Sequence, residues 1–479
     1  MRGAVFAALA LVTATARAQE RPVPELTGSL RGGYWSSTRS LDRRHPLGSG
    51  MAWLKGTAAG PRHVTLFAEG WVAVRGPVDD ADATVELREA YVTAALGNLD
   101  LRAGRQILAW GRADGVNPTG NLAAEDLTLL TPDDADRRLG ATSATVSYYL
   151  GGLSITGVWL PEFRGHRIAL PGDGSMSFEE TKRAWPGDQW ALRAEQTGGA
   201  VDWSASFFRG LDLSPDLEPA VIPSVAAQRR SRGIASHSER ARRASRGMAV
   251  VPTEGPAVEP NAVALRHRRI HVFGADAATT LGRYGLRAEG AYVRTEDGSG
   301  TDPFTKNPFV FVVVGGDRTF DGRLNVNVQY LGRVVVRFRG PAGDVASGDV
   351  AVAQAQAILS SQTRRAQHGA SMRASYKWLH ETLETEWAAV AYAGPRGVAM
   401  RPKVTYAVTD RFTLMAGAEV FRGEDASVFG LLRPNSTAFL EARLSFRASA
   451  RNRSHPGRGA PLPAALRFLD CGPAGLRSE

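Results

Sequence analysis

The thirty residues after Trp110, GRADGVNPTGNLAAEDLTLLTPDDADRRLG, hold most of what could do chemistry in this chain. They bring together Arg112, Asp114, Asn117, Glu125, Asp126, Asp133, Asp134, Asp136, Arg137 and Arg138. No nucleophile, general base or metal-ligand spacing accompanies them. The chain has no G-x-S-x-G turn, no H-E-x-x-H and no phosphate-binding glycine loop. His380-Glu381 lacks a second His at ligand spacing, and the nine His residues are scattered without a cysteine cluster. Fixed charges of both signs suit a different role. At a narrowing they select ions and small charged solutes through the local potential. The expectation is therefore a non-enzyme that needs neither cofactor nor metal.

Such charges need a frame. Before them, TVELREAYVTAAL and LDLRAGRQILAW are joined by Gly97 and Asn98 alone, which reads as a β-hairpin. A loop of about thirty residues after a hairpin is longer than a compact domain carries without a functional reason. The device repeats along the chain. Short turns fall at 60–61, 97–98, 151–152, 198–199, 282–283, 321–322, 380–381 and 409–410. Longer insertions fall at 37–49, 75–83, 110–139, 163–187, 210–267, 295–306, 340–365, 394–397 and 423–435. Tight turns alternating with longer connections are the layout of a bacterial transmembrane antiparallel β-barrel, with short periplasmic turns and long extracellular loops. The count is about 18 strands (16–18), from Glu25–Ser36 to Ser436–Phe446. Period-two alternation agrees: Leu324, Val326, Val328, Tyr330 and Val334 share one face of their strand, and Asn325, Asn327, Gln329 and Arg333 share the other. Tyr34, Trp35, Trp71, Tyr91, Trp110, Tyr148, Trp159, Trp190 and Trp378 are the candidates for interfacial girdles.

Parity then names the lumen face. Arg102, Gln106, Arg193, Arg287, Arg333, Arg337, Arg373, Arg401, Lys403 and Arg443 fall on it, with Glu69, Glu89, Glu195, Glu289, Glu384, Glu386, Glu419 and Glu441 sharing it. With Arg102 and Gln106 facing inward, Arg105 points toward lipid unless a bulge beside Gly104 turns it; on that bulge it joins the candidates. If loop 110–139 folds inward, its acids meet the basic wall. The pore set is then Arg102, Arg105, Gln106, Arg112, Asp114, Asn117, Asp133, Asp134, Arg138, Arg333 and Arg337.

The two ends of the chain read differently. MRGAVFAALALVTATARA has an early Arg, an apolar core and an Ala-x-Ala ending, the pattern of a signal peptide over residues 1–18. Residues 19–446 are the expected barrel, and the Arg-, Pro- and Gly-rich 447–479 a disordered basic tail. The net charge of +10 is inflated by these ends, and no nucleic-acid binding is read from it. Loop 210–267 holds the Arg-rich run 229–246, either a solvated loop or a patch for lipopolysaccharide phosphates. An alternative function follows from it: a barrel-embedded hydrolase or a surface-binding protein working through 210–267.

Arg102, Gly104, Arg105, Gln106, Trp110, Gly111, Asp114, Asn117 and Pro118, followed by PDDADRRLG and GVWLPEF, resemble the motifs of bacterial outer-membrane porins of the alginate-export type. That family often carries an acid after Asn-Pro-Thr, where this chain has Gly120. The resemblance implies an eighteen-stranded outer-membrane barrel, inserted by the barrel assembly machinery and surrounded by lipid and lipopolysaccharide. The expected activity is passive diffusion of small polar or anionic organic solutes, with loop 110–139 as the constriction. Alginate itself is not implied.

Overall fold

Eighteen antiparallel strands form one sheet that closes on itself. The computed structural model describes residues 24–37, 47–60, 63–76, 82–168, 177–180, 186–220, 262–340, 345 and 349–449. The predicted signal peptide, the Arg-rich run 229–246 and the tail beyond Ser449 lie outside them.

The wall consists of β1 (Glu25–Ser37), β2 (Leu47–Ala59), β3 (Val64–Arg75), β4 (Asp82–Leu96), β5 (Leu99–Gln106) and β6 (Ala141–Leu150). It continues through β7 (Leu153–Leu160), β8 (Gln189–Gln196), β9 (Asp202–Leu211), β10 (Arg269–Leu281), β11 (Tyr284–Arg294) and β12 (Phe309–Phe320). The circuit ends with β13 (Leu324–Val335), β14 (Ala366–Trp378), β15 (Leu383–Ala393), β16 (Arg396–Ala407), β17 (Phe412–Gly423) and β18 (Thr437–Ser449). Each strand pairs with its sequence neighbours, and β1 closes the ring on β18 from Glu25↔Ser449 to Ser37↔Thr437. β18 runs three residues past Phe446, so Arg447, Ala448 and Ser449, assigned from sequence to the tail, belong to the wall. One rim carries only tight turns; at Gly97–Asn98 the glycine takes φ 61°, which a side chain would oppose. The other rim carries the long insertions.

Alternate residues face opposite media. Leu30, Leu54, Val72, Val85, Val92, Leu192, Phe273, Val328, Leu414 and Leu440 are exposed on the outside. A closed sheet leaves no open edge, and its outer face with such a belt suits hydrocarbon. Among the described residues no helix is long and apolar enough to cross a membrane. Tyr34, Tyr148, Trp159, Trp190 and Trp378 are exposed, as a girdle requires, whereas Trp35, Trp71, Tyr91 and Trp110 are buried on the inner side.

The alternation breaks in β4. Glu69 pairs with Glu89 and Gly70 with Leu87, which leaves Arg88 as an unpaired extra residue. This bulge sends both Arg88 and Glu89 inward. At the long-loop rim, strands Ser177–Glu180, Ala262–Arg266 and Asp216–Pro219 form a small sheet. Helix α1 (Val350–Leu359) packs on it through Val352, Ala355 and Leu359 against Leu217, Val263 and Leu265. Buried Lys306 ties the cap together, its ammonium 2.9 Å from Asp212 and 3.1 Å from Asp216. Burial alone would lower its pKa, but the two carboxylates outweigh burial and hold it raised.

Candidate pore constriction

The segment between β5 and β6, residues 107–140, lies within the lumen. Its apolar residues are seated around the wall in several places. Trp110 and Leu122 pack on Val158, Leu160, Phe208, Ile270 and Val293; Ala113 and Val116 pack against Phe311 and Leu331. Leu129 sits with Trp53, Trp71 and Ala73, and Leu130 with Trp35, Met415 and Phe439. Trp35, Trp53 and Trp71 are thus the wall's sockets for the loop, and Trp110 is one of the loop's plugs.

Its first end hangs on one carboxylate. Glu289 of β11 accepts the backbone N–H groups of Arg112 (2.8 Å), Ala113 (2.9 Å) and Thr119 (2.8 Å) and the Thr119 hydroxyl (2.8 Å). Asn117 closes the turn by donating to the Trp110 carbonyl and accepting from the Thr119 N–H. The Arg112 guanidinium donates to Asp276 and Glu195, each at 2.7 Å. Gln329 of β13 donates to the Asp114 carbonyl at 3.0 Å.

Its second end is held by side-chain ion pairs. Asp133 lies 2.9 Å from Arg443 and 3.6 Å from Lys403. Asp134 meets Arg401 and stands 3.6 Å from Arg373. Asp136 pairs with Arg31, and Arg137 with Glu419. Burial would raise the pKa of Asp133 and Asp134, but Arg443 and Lys403 for the first, and Arg401, Arg137 and Arg373 for the second, hold both below the usual value. The wall's own carboxylates share these cations: Glu386 lies 3.5 Å from both Arg373 and Lys403, Glu419 is 3.1 Å from Arg401, and Glu441 is 2.8 Å from Arg443. Arg31, Arg373, Arg401, Lys403 and Arg443 against those three glutamates leave the bare wall with two surplus positive charges. The loop brings Asp114, 3.6 Å from Arg373, together with Asp133, Asp134, Asp136 and Arg137, three surplus negative charges, and the cluster is left with one negative charge. Above it, Arg88 clasps the loop from the bulge, donating to the carbonyls of Arg138 (3.1 Å) and Ala135 (2.6 Å) while pairing with Glu69.

The predicted residues separate into groups. Arg112, Asp114, Asn117, Asp133 and Asp134 belong to the inserted loop and its wall contacts. Arg102 is on the lumen face toward the tight-turn rim, over the Tyr91 ring at 4.6 Å and donating to Thr93 at 3.2 Å. Gln106 also faces inward but is sealed, donating to the Ser143 carbonyl at 3.0 Å. Arg138 offers its carbonyl to Arg88 while its side chain is exposed.

Three residues depart from the expected set. Arg105 faces outward: it pairs with Ala90, the register through Gly104 is unbroken, and the only bulge of this hairpin is at Arg88. Its charge is met there by Glu162 at 2.9 Å. Gly104 serves close packing instead, at φ 130° with a side chain's Cβ reaching 2.2 Å from the Ala90 carbonyl. Arg333 faces inward but stacks on Phe309 and Phe311, each at 4.7 Å, and donates to the Ser360 carbonyl at 2.8 Å, under the cap rather than at the loop. Arg337 lies beyond the end of β13, exposed in the following connection. Conversely, Arg31, Arg88 and Asp276 carry the loop and were absent from the sequence-derived set; Arg88 is hidden by the bulge, while Arg31 and Asp276 sit on the lumen parity of their strands.

A closed eighteen-stranded barrel with an outer apolar belt and an inserted third long loop defines the porin-type class of β-barrel. The chain belongs to DUF1302, a family described as proteins of unknown function, which matches residues 75–376. No curated protein matches it. Among solved structures it is similar in fold to OccK3 (OpdO) of Pseudomonas aeruginosa, at 12% identity and TM-score 0.50, covering 89% of this chain and 96% of that one. OpdK with vanillate, from the same organism, gives 10% identity and TM-score 0.48 over 89% and 99% of the two chains. OccAB4 of Acinetobacter baumannii gives 10% and 0.47 over 90% and 99%. At these identities the likeness concerns the fold.

Proposed function

We propose that this chain is an outer-membrane diffusion channel for small polar or anionic organic solutes, with loop 107–140 as its constriction. The observation that carries the reading is the loop's attachment to inward side chains on every side of the barrel, from Arg31 on β1 through Glu289 on β11 to Arg443 on β18. A segment fixed across a lumen leaves solutes a path lined by its own charges and the wall's, so selectivity comes from local potential. Flux follows the concentration gradient and needs no energy input. The preference for anions rests on the basic balance of the chain and on Arg102, which faces the lumen outside that cluster. The motif from Arg102 to Pro118 adds the porin class to this reading, without alginate. Export by a cleaved signal peptide, insertion by the barrel assembly machinery and a surrounding of lipopolysaccharide belong to the same proposal. The full-length mature protein, purified and reconstituted in a planar bilayer, is expected to give discrete single-channel steps. A sealed bilayer at protein loads that insert known porins would overturn the reading.

A further inference from the structure

The outer face carries an unusual row at the long-loop rim. Reading across five neighbouring strands, Trp159 pairs with Trp190, Trp190 with Arg209, Arg209 with His271 and His271 with Arg294. All five fall on the parity of the exposed apolar residues. The next outward row toward the opposite rim is Leu192, Phe207, Phe273 and Tyr292, again in direct register. Phe207 and Phe273 lie 4.9 Å apart, and Phe207 and His271 6.2 Å. The row thus has two indoles beside three basic side chains, over a shelf of aromatics.

Arg209 and Arg294 stand on either side of His271, each directly opposite it across the ladder. Among the described residues neither Arg209 nor Arg294 has a carboxylate partner, and the Arg209 Nε is shielded from solvent without an acceptor. The acids one row farther out are already engaged. Asp188 is 2.6 Å from Arg269, and Glu296 accepts the Arg269 N–H at 2.9 Å. Two guanidinium groups kept on this face without a protein counter-charge are completed by an anion from outside.

Its height fixes which anion. From Tyr284, at the tight-turn end of β11, to Arg294 is ten residues, about 34 Å along a strand. At a tilt of about 40° that is about 26 Å across the bilayer, close to the apolar band of about 25 Å that such barrels present to lipid. Arg209, His271 and Arg294 therefore stand where the acyl chains end and headgroups begin. We infer that Arg209, His271 and Arg294 bind the phosphate of an outer-leaflet lipid headgroup, with acyl chains lying on the Phe207–Phe273–Tyr292 shelf. The inference rests on the membrane reading proposed above, not on conduction. Guanidinium groups offer paired donors that match phosphate oxygens, and the indoles flank the headgroup at the interface.

The test uses the full-length protein in nonionic detergent, with native mass spectrometry of bound lipid. Lipid A bearing two phosphates, the same lipid stripped of phosphate, and inorganic phosphate are offered separately and in competition. The wild-type protein is expected to retain the phosphorylated lipid. R209Q/R294Q is expected to bind it at least about tenfold more weakly, no better than wild type binds the stripped lipid. R318Q, on the outer face at the opposite rim, where Arg318 already donates to the Tyr284 hydroxyl, should bind as wild type. Equal retention by R209Q/R294Q, equal binding of the stripped lipid, or displacement by millimolar inorganic phosphate would each overturn the site. If the double variant fails to fold, R294Q alone carries the comparison, since that side chain is exposed. Single-channel recordings of the same samples separate the two proposals: a protein that holds the lipid but passes no current leaves this site standing and removes the channel.

Discussion

The two ends of the inserted loop are fastened by different physics. At the first, backbone N–H groups of Arg112, Ala113 and Thr119 converge on Glu289, which is 2% exposed. At the second, Asp133 and Asp134 meet cations through side chains that are partly open, 32% and 56% exposed. Donors that converge on a buried carboxylate have no substitute when it is removed, and each unsatisfied group costs about 1–3 kcal/mol. Half-exposed ion pairs are worth about 0–1 kcal/mol each and trade readily with other ions. The first end is an anchor; the second is a latch that a dissolved anion can compete with.

Breaking the anchor should have the largest effect. Glu289→Ala is expected to destabilise the folded barrel by on the order of 3–5 kcal/mol, seen as a lower midpoint in the heat-dependent mobility shift of the purified protein. Breaking the latch should spare stability and change transport. Asp133→Asn with Asp134→Asn should cost no more than about 2 kcal/mol, yet raise conductance and move the reversal potential toward anions. A smaller contrast separates the faces of β5. Arg102→Gln should reduce the anion preference, while Arg105→Gln should leave permeation as in the wild type.

These pairs also mark how far the sequence reaches. Alternation is a local property, so Arg102, Arg373, Arg401, Lys403 and Arg443 could be assigned to the lumen from parity alone. The pairing of short and long connections likewise led to eighteen strands, because a tight Gly-Asn turn and a polar insertion are legible in one dimension. Which carboxylate holds which cation across the barrel is not. Asp133 and Arg443 are far apart in sequence and meet only when the ring closes. Arg88 escaped because a bulge resets parity without an obvious residue signal. Arg105 was placed toward lipid by parity, and only the supposed bulge at Gly104 argued otherwise; Glu162 is what makes the outward position tolerable. Arg337 was misassigned because the alternation of VVVRF runs on past Val335, where the hydrogen-bonded ladder ends.

The same contrast has a pH dependence. Asp133 and Asp134 have depressed pKa values in the folded chain. Their contribution is therefore complete above the unfolded carboxylate value of about 3.9 and is lost as pH falls through the depressed values. Conductance set by the latch should be constant from pH 8 to 5 and rise only below about pH 4. The rim behaves otherwise. Burial lowers the pKa of His166 and His267, so their neutral packing is complete above about 6.5 and weakens as pH falls below it. Protease sensitivity of the long-loop rim should accordingly rise between pH 6.5 and 5, the smallest of these effects.

The most direct test of the latch in a channel is a paired bilayer recording under a salt gradient, wild type against Asp133→Asn with Asp134→Asn. The expected result is discrete steps from both proteins, with larger conductance and a reversal potential shifted toward anions in the variant. Steps of equal size with the same reversal potential, or no steps from either protein, would contradict it.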